Sequence, residues 1–543
     1  MRTRVVSSGA KEASPVARPL NWLALVVLAL VAALALWVFD ALSLQDLPAH
    51  AGLIAMRHRF PESAFEQRNY KFDPTIGPYS LFLFLSTYFG LVFGPVAAVR
   101  ALATLPLLAT PAVLIFARWR LHDDRTPTAG FLGIALSFGF MTLMGLVSFT
   151  LALALLLLAL TLWLELALDS DEGRPAVGRE ALFGLLAILV FVAHGYAFIL
   201  LLGLAGITTL STGDRARRML RWRSLVPALA LATWSARWGG PPAGSVPWQV
   251  RAPFTRFQGI GDKLSLLVTP TLITRTGIDI GAGLVLWIAV SASFVATVHS
   301  LLKTGRDPQT SGGSDARSRA HSRALAVAAA AIGALFLVLP HEIGWFGFVD
   351  GRLVPLLLFL CIMCIRRPTL GPRLRILLDG SSPIVACAMT ALAYFAFRHF
   401  QTEAAGYHEV FAVVPSEARV LNLPVDPYSD LLTAHPFLHY DKLIAIDRPV
   451  LLSDVWPDRG SALYPTPANP VTRLPSSYRP SDLKVVDWSA YRLEEWDFVL
   501  IRTRADAPAP ATPRSFSLAK RAGGWWLFRT RPSAERAAPA TGE

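Results

Sequence analysis

The run NWLALVVLALVAALALWVF, residues 21–39, carries no charged side chain, and no other feature constrains the fold as strongly. About 20 apolar residues are what a helix needs to cross hydrocarbon. Inside a bilayer the backbone amides find no water, so such a segment must satisfy them within itself. Comparable runs recur as far as residue 397, and the alternating pattern of an outer-membrane barrel is missing. Composition agrees: 53% of the 543 residues are hydrophobic and 16% charged, against roughly 25% charged in soluble domains. The expected fold is mainly α, a polytopic transmembrane helical bundle.

Basic residues orient the spans. Arg2, Arg4, Lys11 and Arg18 precede the first run, which is long for the apolar region of a signal peptide, so a retained anchor is expected, with residues 1–20 a basic cytoplasmic N-terminus. Further clusters occur at Arg118–Arg125, Arg215–Arg223, Lys303–Arg323 and Arg366–Arg375. Short basic loops of this kind stay in the cytoplasm, and this explains the net charge of +13 better than nucleic acid, which is not expected as a partner. For all clusters to share one side, the intervening spans must pair. About 11 spans result, at 21–39, 96–117, 129–141, 146–167, 181–193, 196–210, 224–238, 280–298, 324–339, 353–365 and 383–397. The fifth and sixth form a hairpin broken at His194 and Gly195, because a single long span would put Arg215–Arg223 opposite Arg118–Arg125. The apolar stretch from Tyr79 to Gly94 is read as an interfacial or half-inserted helix on the outer face.

An odd number of spans places the chain's end outside. Residues 398–530 are expected to form an extracytoplasmic mixed α/β or β-rich domain, from strand-like runs such as RVLNLPV, PVLLSDVW, WDFVLIRT and GGWWLFRT. Residues 531–543 read as a disordered tail. The three cysteines, Cys361, Cys364 and Cys387, all lie in spans, which leaves a packing role and no disulfide framework.

Polar residues outside the cytoplasm collect in three places: the long first loop 40–78, the loop 239–279, and the segment PHEIGWFGFVDGR from Pro340 to Arg352. Span interiors are nearly free of ionisable groups, which weighs against a proton- or ion-coupled transporter. No phosphate-binding G-x-x-x-x-G-K-[ST] loop occurs, and His341–Glu342 lacks the second histidine of a zinc-protease motif. A site at the membrane surface, fed by an activated group on a lipid, fits this pattern.

One span, then a long outer loop with an acidic residue soon after the membrane, then an apolar helix ending in FGPVAAVRALATLPLL, resembles the GT-C superfamily of polytopic membrane glycosyltransferases. The run DGRLVPLLLFL, residues 350–360, resembles the opening of a late span in such enzymes. The resemblance covers residues 20–400 and rests on layout. It implies a polyprenyl-phosphate-linked sugar donor, a lipid, glycan or protein acceptor, and an acidic base from the first outer loop. DPTIGPY stands where many members have His-Pro-Pro, and the first loop has no adjacent Asp-Glu pair, so the resemblance leaves a divalent metal open and names no other cofactor.

Each candidate residue has two readings. Asp46 either caps a helix beginning at Leu47 or takes the proton from an acceptor hydroxyl. His50, one helical turn on, orients that carboxylate, binds substrate, contributes to a metal site, or is an ordinary interfacial histidine. Arg352 either grips the lipid phosphate or anchors a helix end by snorkelling. Arg100 and Lys263 are weaker phosphate candidates. His194, Asp73 and Tyr79 either line the same outer cavity or cap and pack helices. His435 and His439 are given no chemistry. The reading that follows is an inner-membrane, multi-pass glycosyltransferase working on the extracytoplasmic face. The alternative is a non-catalytic binder or translocator of lipid-linked glycans.

Overall fold

The computed structural model describes residues 19–73, 75–168, 177–210, 221–239, 242–246, 255–304, 313–344, 346–453, 462–475, 478 and 486–530. Residues 1–18 of the expected N-terminal segment, the tail 531–543 and most of the Arg215–Arg223 cluster lie outside them. Five described helices are long and apolar enough to cross a membrane: Pro95–His122, Val147–Ala167, Ile278–Lys303, Asp315–Val338 and Pro372–Glu403. Shorter apolar helices are Pro19–Leu34 (α1), Ser80–Phe93, Thr128–Ser137, Gly195–Leu210 and Leu353–Cys364. The chain is thus mainly helical, with a small C-terminal sheet.

In order after α1 come α2 (Leu47–Arg59), α3 (Ala64–Asn69), α4 (Ser80–Phe93), α5 (Pro95–His122), α6 (Thr128–Ser137), α7 (Phe140–Leu143), α8 (Val147–Leu168), α9 (Val177–Ala193) and α10 (Gly195–Leu210). The span expected at 129–141 ends at Ser137 and restarts as the short α7. The break has a packing reason: a Cβ on Gly139 would stand 2.2 Å from the carbonyl oxygen of Pro270, so the chain turns where only glycine fits.

The hairpin expected at residues 194–195 is present. Trp163, near the end of α8, packs on Phe183 of α9 with ring centroids 5.1 Å apart and donates to Thr208 Oγ1 of α10 at 3.0 Å. Phe183 and Thr208 therefore lie at one level on antiparallel helices, with His194 at the tip beside Phe149 at the start of α8. The other end of α8 carries Glu165, which accepts from Arg120 at 2.7 Å. Arg118–Asp124, Arg366–Asp315 and Arg367–Asp379 pairs cluster with it. The described members of the basic clusters thus gather at one end of the bundle, and His194 marks the other.

At that second end the loops are stitched together. Strand β1 (Tyr70–Phe72) of the first loop pairs with β6 (Leu463–Pro465) of the C-terminal domain. Strand β2 (Thr255–Arg256) pairs with β3 (Glu342–Ile343), and Arg275 N donates to Leu431 O at 2.8 Å. The C-terminal sheet comprises β4 (Arg419–Pro424), β5 (Leu451–Leu452), β7 (Phe498–Arg502), β8 (Ser517–Ala522) and β9 (Trp525–Arg529) in the order β5-β4-β7-β9-β8. Side chains alternate across it. Val420, Phe498, Leu500, Trp525 and Leu527 join the core continuous with the membrane bundle, while Leu421, Leu423, Val499, Ile501, Trp526 and Phe528 build a separate core on the far face. Burial on both faces explains why these strands read as unbroken apolar runs.

Candidate active site at one end of the bundle

The segment FDALSLQD turns the chain out of α1 and delivers Asp46 as the residue before α2. Asp46 occupies the N-cap position, yet its side chain makes no capping bond. The capping reading is therefore corrected. The carboxylate instead accepts from Gln45 Nε2 at 3.3 Å and lies 3.6 Å from His439 Nε2, with both the Asp46 and His439 side chains 6% exposed. Gly145 makes this placement possible. Its φ is +75°, and a Cβ there would lie 2.7 Å from Asp46 N.

A cavity of about 320 Å³ opens beside Asp46. Asp46, His50, Tyr79, His194 and Arg352, five of the residues singled out from sequence, line it together with His439. His50 packs against Phe82 with the rings tilted and centroids 4.5 Å apart. Burial pulls its pKa down to about 4, against a hydrogen bond with the Gly145 backbone and with a smaller push from His439, so it is neutral at pH 7. Tyr79, held at φ +72°, points its hydroxyl at His194 Nε2, 3.4 Å away.

Arg352 stands at the N-cap of helix Leu353–Cys364 and is 6% exposed. Its guanidinium lies over Phe346 at 4.3 Å and Phe149 at 5.2 Å. It reaches His194 Nε2 and the Gly347 carbonyl at 3.4 Å. Among the described residues it makes no ion pair, and burial lowers its pKa, opposed by Tyr79, Tyr196 and Asp46. A desolvated guanidinium clamped between aromatic rings, with no carboxylate of its own, is a ready partner for an anionic oxygen.

The loop that carries Arg352 is fixed from below. Asp350, fully buried, accepts from Lys263 Nζ at 2.9 Å, His341 Nδ1 at 2.8 Å and Gly351 N at 2.8 Å. Lys263 also donates to Phe336 O and Leu339 O, at the end of helix Gly313–Val338. The structure thus ties Lys263 into an ion pair behind the cavity wall, away from any lipid phosphate in the cavity. Arg100 is likewise committed, donating to the Phe39 and Asp40 carbonyls at 2.6 and 2.8 Å. Asp73 lines a separate groove of about 190 Å³ with Arg57 and Ser235.

His439 is the residue that sequence reasoning passed over. It precedes a short turn of helix, Tyr440–Leu443, that packs on α2 so closely that a Cβ on Gly52 would lie 2.5 Å from Lys442 O. The string AHPFLHYD offered no local sign of this, because its partner Asp46 is nearly 400 residues away in the chain.

Comparison with known proteins places this geometry in a fold. No protein-family model matches the chain, and no curated protein matches it in sequence. Among solved structures, ArnT from Cupriavidus metallidurans bound to undecaprenyl phosphate superposes with a TM-score of 0.54 at 13% identity, covering 95% of this chain and 98% of that one. Arabinofuranosyltransferase AftD from Mycobacteria gives 0.46 at 16% identity, over 95% of this chain and 40% of that one. The oligosaccharyltransferase AglB from Archaeoglobus fulgidus, in complex with an inhibitory peptide and a dolichol-phosphate, gives 0.45 at 12% identity, over 89% and 69%. The chain shares the fold of ArnT over nearly its whole length.

Proposed function

We propose that the protein is an integral-membrane glycosyltransferase that moves a sugar from a polyprenyl-phosphate carrier to a lipid, glycan or protein acceptor, with the cavity and the C-terminal domain on the extracytoplasmic side and the N-terminus in the cytoplasm. The observation that carries this reading is that a buried carboxylate, Asp46, and a buried guanidinium free of ion pairs among the described residues, Arg352, line the same cavity. The ArnT fold, found in a protein bound to undecaprenyl phosphate, supports a lipid-phosphate ligand.

In the proposed reaction an acceptor hydroxyl attacks the anomeric carbon as the bond from that carbon to the phosphate oxygen breaks. Asp46 takes the hydroxyl proton, and the polyprenyl phosphate leaves with its charge held by Arg352. His439, beside Asp46, helps to hold the carboxylate in place.

The test uses purified protein with a panel of polyprenyl-phosphate sugars and a membrane extract as acceptor source. Asp46→Asn should abolish transfer while polyprenyl phosphate still binds. Undiminished transfer by the folded variant would remove Asp46 from the base role. Alternating exposure of the cavity to both membrane faces, with no transfer by the wild type, would instead establish a translocator.

A further inference from the structure

A second cavity, of about 520 Å³, lies in the C-terminal domain away from Asp46. Topology places it where open α/β sheets hold ligands. β5 and β7 flank β4 on opposite sides and both run parallel to it. The chain leaves β4 toward one edge and later returns past it to the other, so the loops leaving the carboxyl ends of β4 and β7 diverge and open a crevice. Those loops, residues 426–430 and 502–506, form its walls, joined by Arg275 and by Glu403 at the end of helix Pro372–Glu403.

The chemistry of the lining selects a ligand class. Three arginines and four acidic residues line the crevice, the Arg502 guanidinium lying over Phe437 and Trp525. An anion would meet the carboxylates and a cation the guanidiniums, whereas a neutral hydroxyl both donates to the first and accepts from the second. Arg504 and Asp430, paired at 2.9 Å with side chains 59% and 49% exposed, present such groups at the mouth. Deeper in the wall, Arg502 Nε and Glu403 Oε2 have no hydrogen-bond partner among the described residues, and Arg502 is 5% exposed. Half-exposed Tyr428 adds an aromatic surface.

We infer that this crevice binds a neutral saccharide. It rests on the proposed function for the saccharide's identity, which is the acceptor glycan or the product of transfer. The two sites share one stretch of chain. Residues 426–430 line the crevice, His435 N then donates to Gln45 Oε1 at 3.0 Å, and His439 reaches Asp46.

The experiment is saturation-transfer NMR on the full-length protein in micelles, with neutral tri- to hexasaccharides of glucose, mannose and galactose as probes, and inorganic phosphate and Mn²⁺ alone as rivals. Mn²⁺ is included because His399, Glu403 and Asp430 place donor atoms within 4.8 Å of one another. Binding of at least one saccharide is expected in the wild type and equally in Asp46→Asn. Affinity should fall at least ten-fold in Arg504→Ala and in Asp430→Asn at unchanged thermal midpoint. Absence of saccharide binding, binding insensitive to both substitutions, or phosphate or Mn²⁺ binding that they abolish in its place would each overturn the inference. Transfer that survives Asp46→Asn would refute the proposed base and leave the crevice result standing, so the two failures are distinguishable.

Discussion

Replacing Lys263 by methionine strips the support from the loop that aims Arg352. Lys263 Nζ bonds Asp350 Oδ2 at 2.9 Å, Phe336 O at 2.9 Å and Leu339 O at 2.6 Å, with the Lys263 and Asp350 side chains 4% and 0% exposed. Methionine fills the same path through the protein but leaves Asp350 only His341 Nδ1 and Gly351 N. Removing one partner of a buried ion pair costs about 3–5 kcal/mol, because the other charge stays buried without compensation. Asp350 lies two residues before Arg352, so the loss falls on the segment that presents the guanidinium. Lys263→Met/Asp350→Asn removes the stranded charge. Its cost should drop to about 1–2 kcal/mol, for the two carbonyls that lose a donor. The difference of about 2–3 kcal/mol corresponds to roughly a 30- to 150-fold change in the opening equilibrium. Hydrogen exchange at Val349 N and Arg352 N, which donate to His341 O and Phe348 O, reads it directly. The single variant should exchange faster than the double variant by that factor. Equal exchange in the two variants would refute the argument, since the pair would then not be what holds the loop.

Three further outcomes are expected. Arg352→Lys keeps the charge but loses the forked guanidinium that lies over Phe346 and Phe149, so polyprenyl phosphate should bind about ten-fold more weakly or worse in a titration with the lipid. Because the folded-state pKa of His50 is depressed from 6.5 to about 4, its contribution is fully present above pH 6.5 and is lost as the pH falls from there toward 4. The loss is on the order of 3 kcal/mol, and the fall in thermal midpoint over that window should be smaller in His50→Leu. Gly145→Ala forces a side chain onto a φ of +75° and against Asp46 N, so it should lower stability by about 1–3 kcal/mol and impair transfer far more than its size suggests, measured by melting and activity together.

Some of the site was legible from residues alone, and the reason is local. Asp46 and Arg352 each sit where an apolar run meets a polar segment, and charge at such a boundary is expensive unless it is used or anchored. His194 announced itself by interrupting an apolar stretch with a His-Gly pair. Lys263 and Arg100 were legible as charges near the same face but not as to partner. Nothing near Lys263 in the chain shows Asp350, 87 residues on, and nothing near Arg100 shows the carbonyls of Phe39 and Asp40.

The sequence by itself determined that this chain must be a helical membrane protein, which face its basic loops share, and that strand-forming runs follow the last apolar helix. These are consequences of hydrocarbon length and of charge, and both act segment by segment. Only the tertiary structure decided that Asp46 leaves its capping role and turns toward His439, that Arg352 rather than Lys263 is the cation on the cavity, and that the C-terminal domain supplies part of the wall. Those outcomes depend on close approaches between distant segments, Gly145 against Asp46 and Gly52 against Lys442, and such packing is set by the whole fold rather than by any window of it.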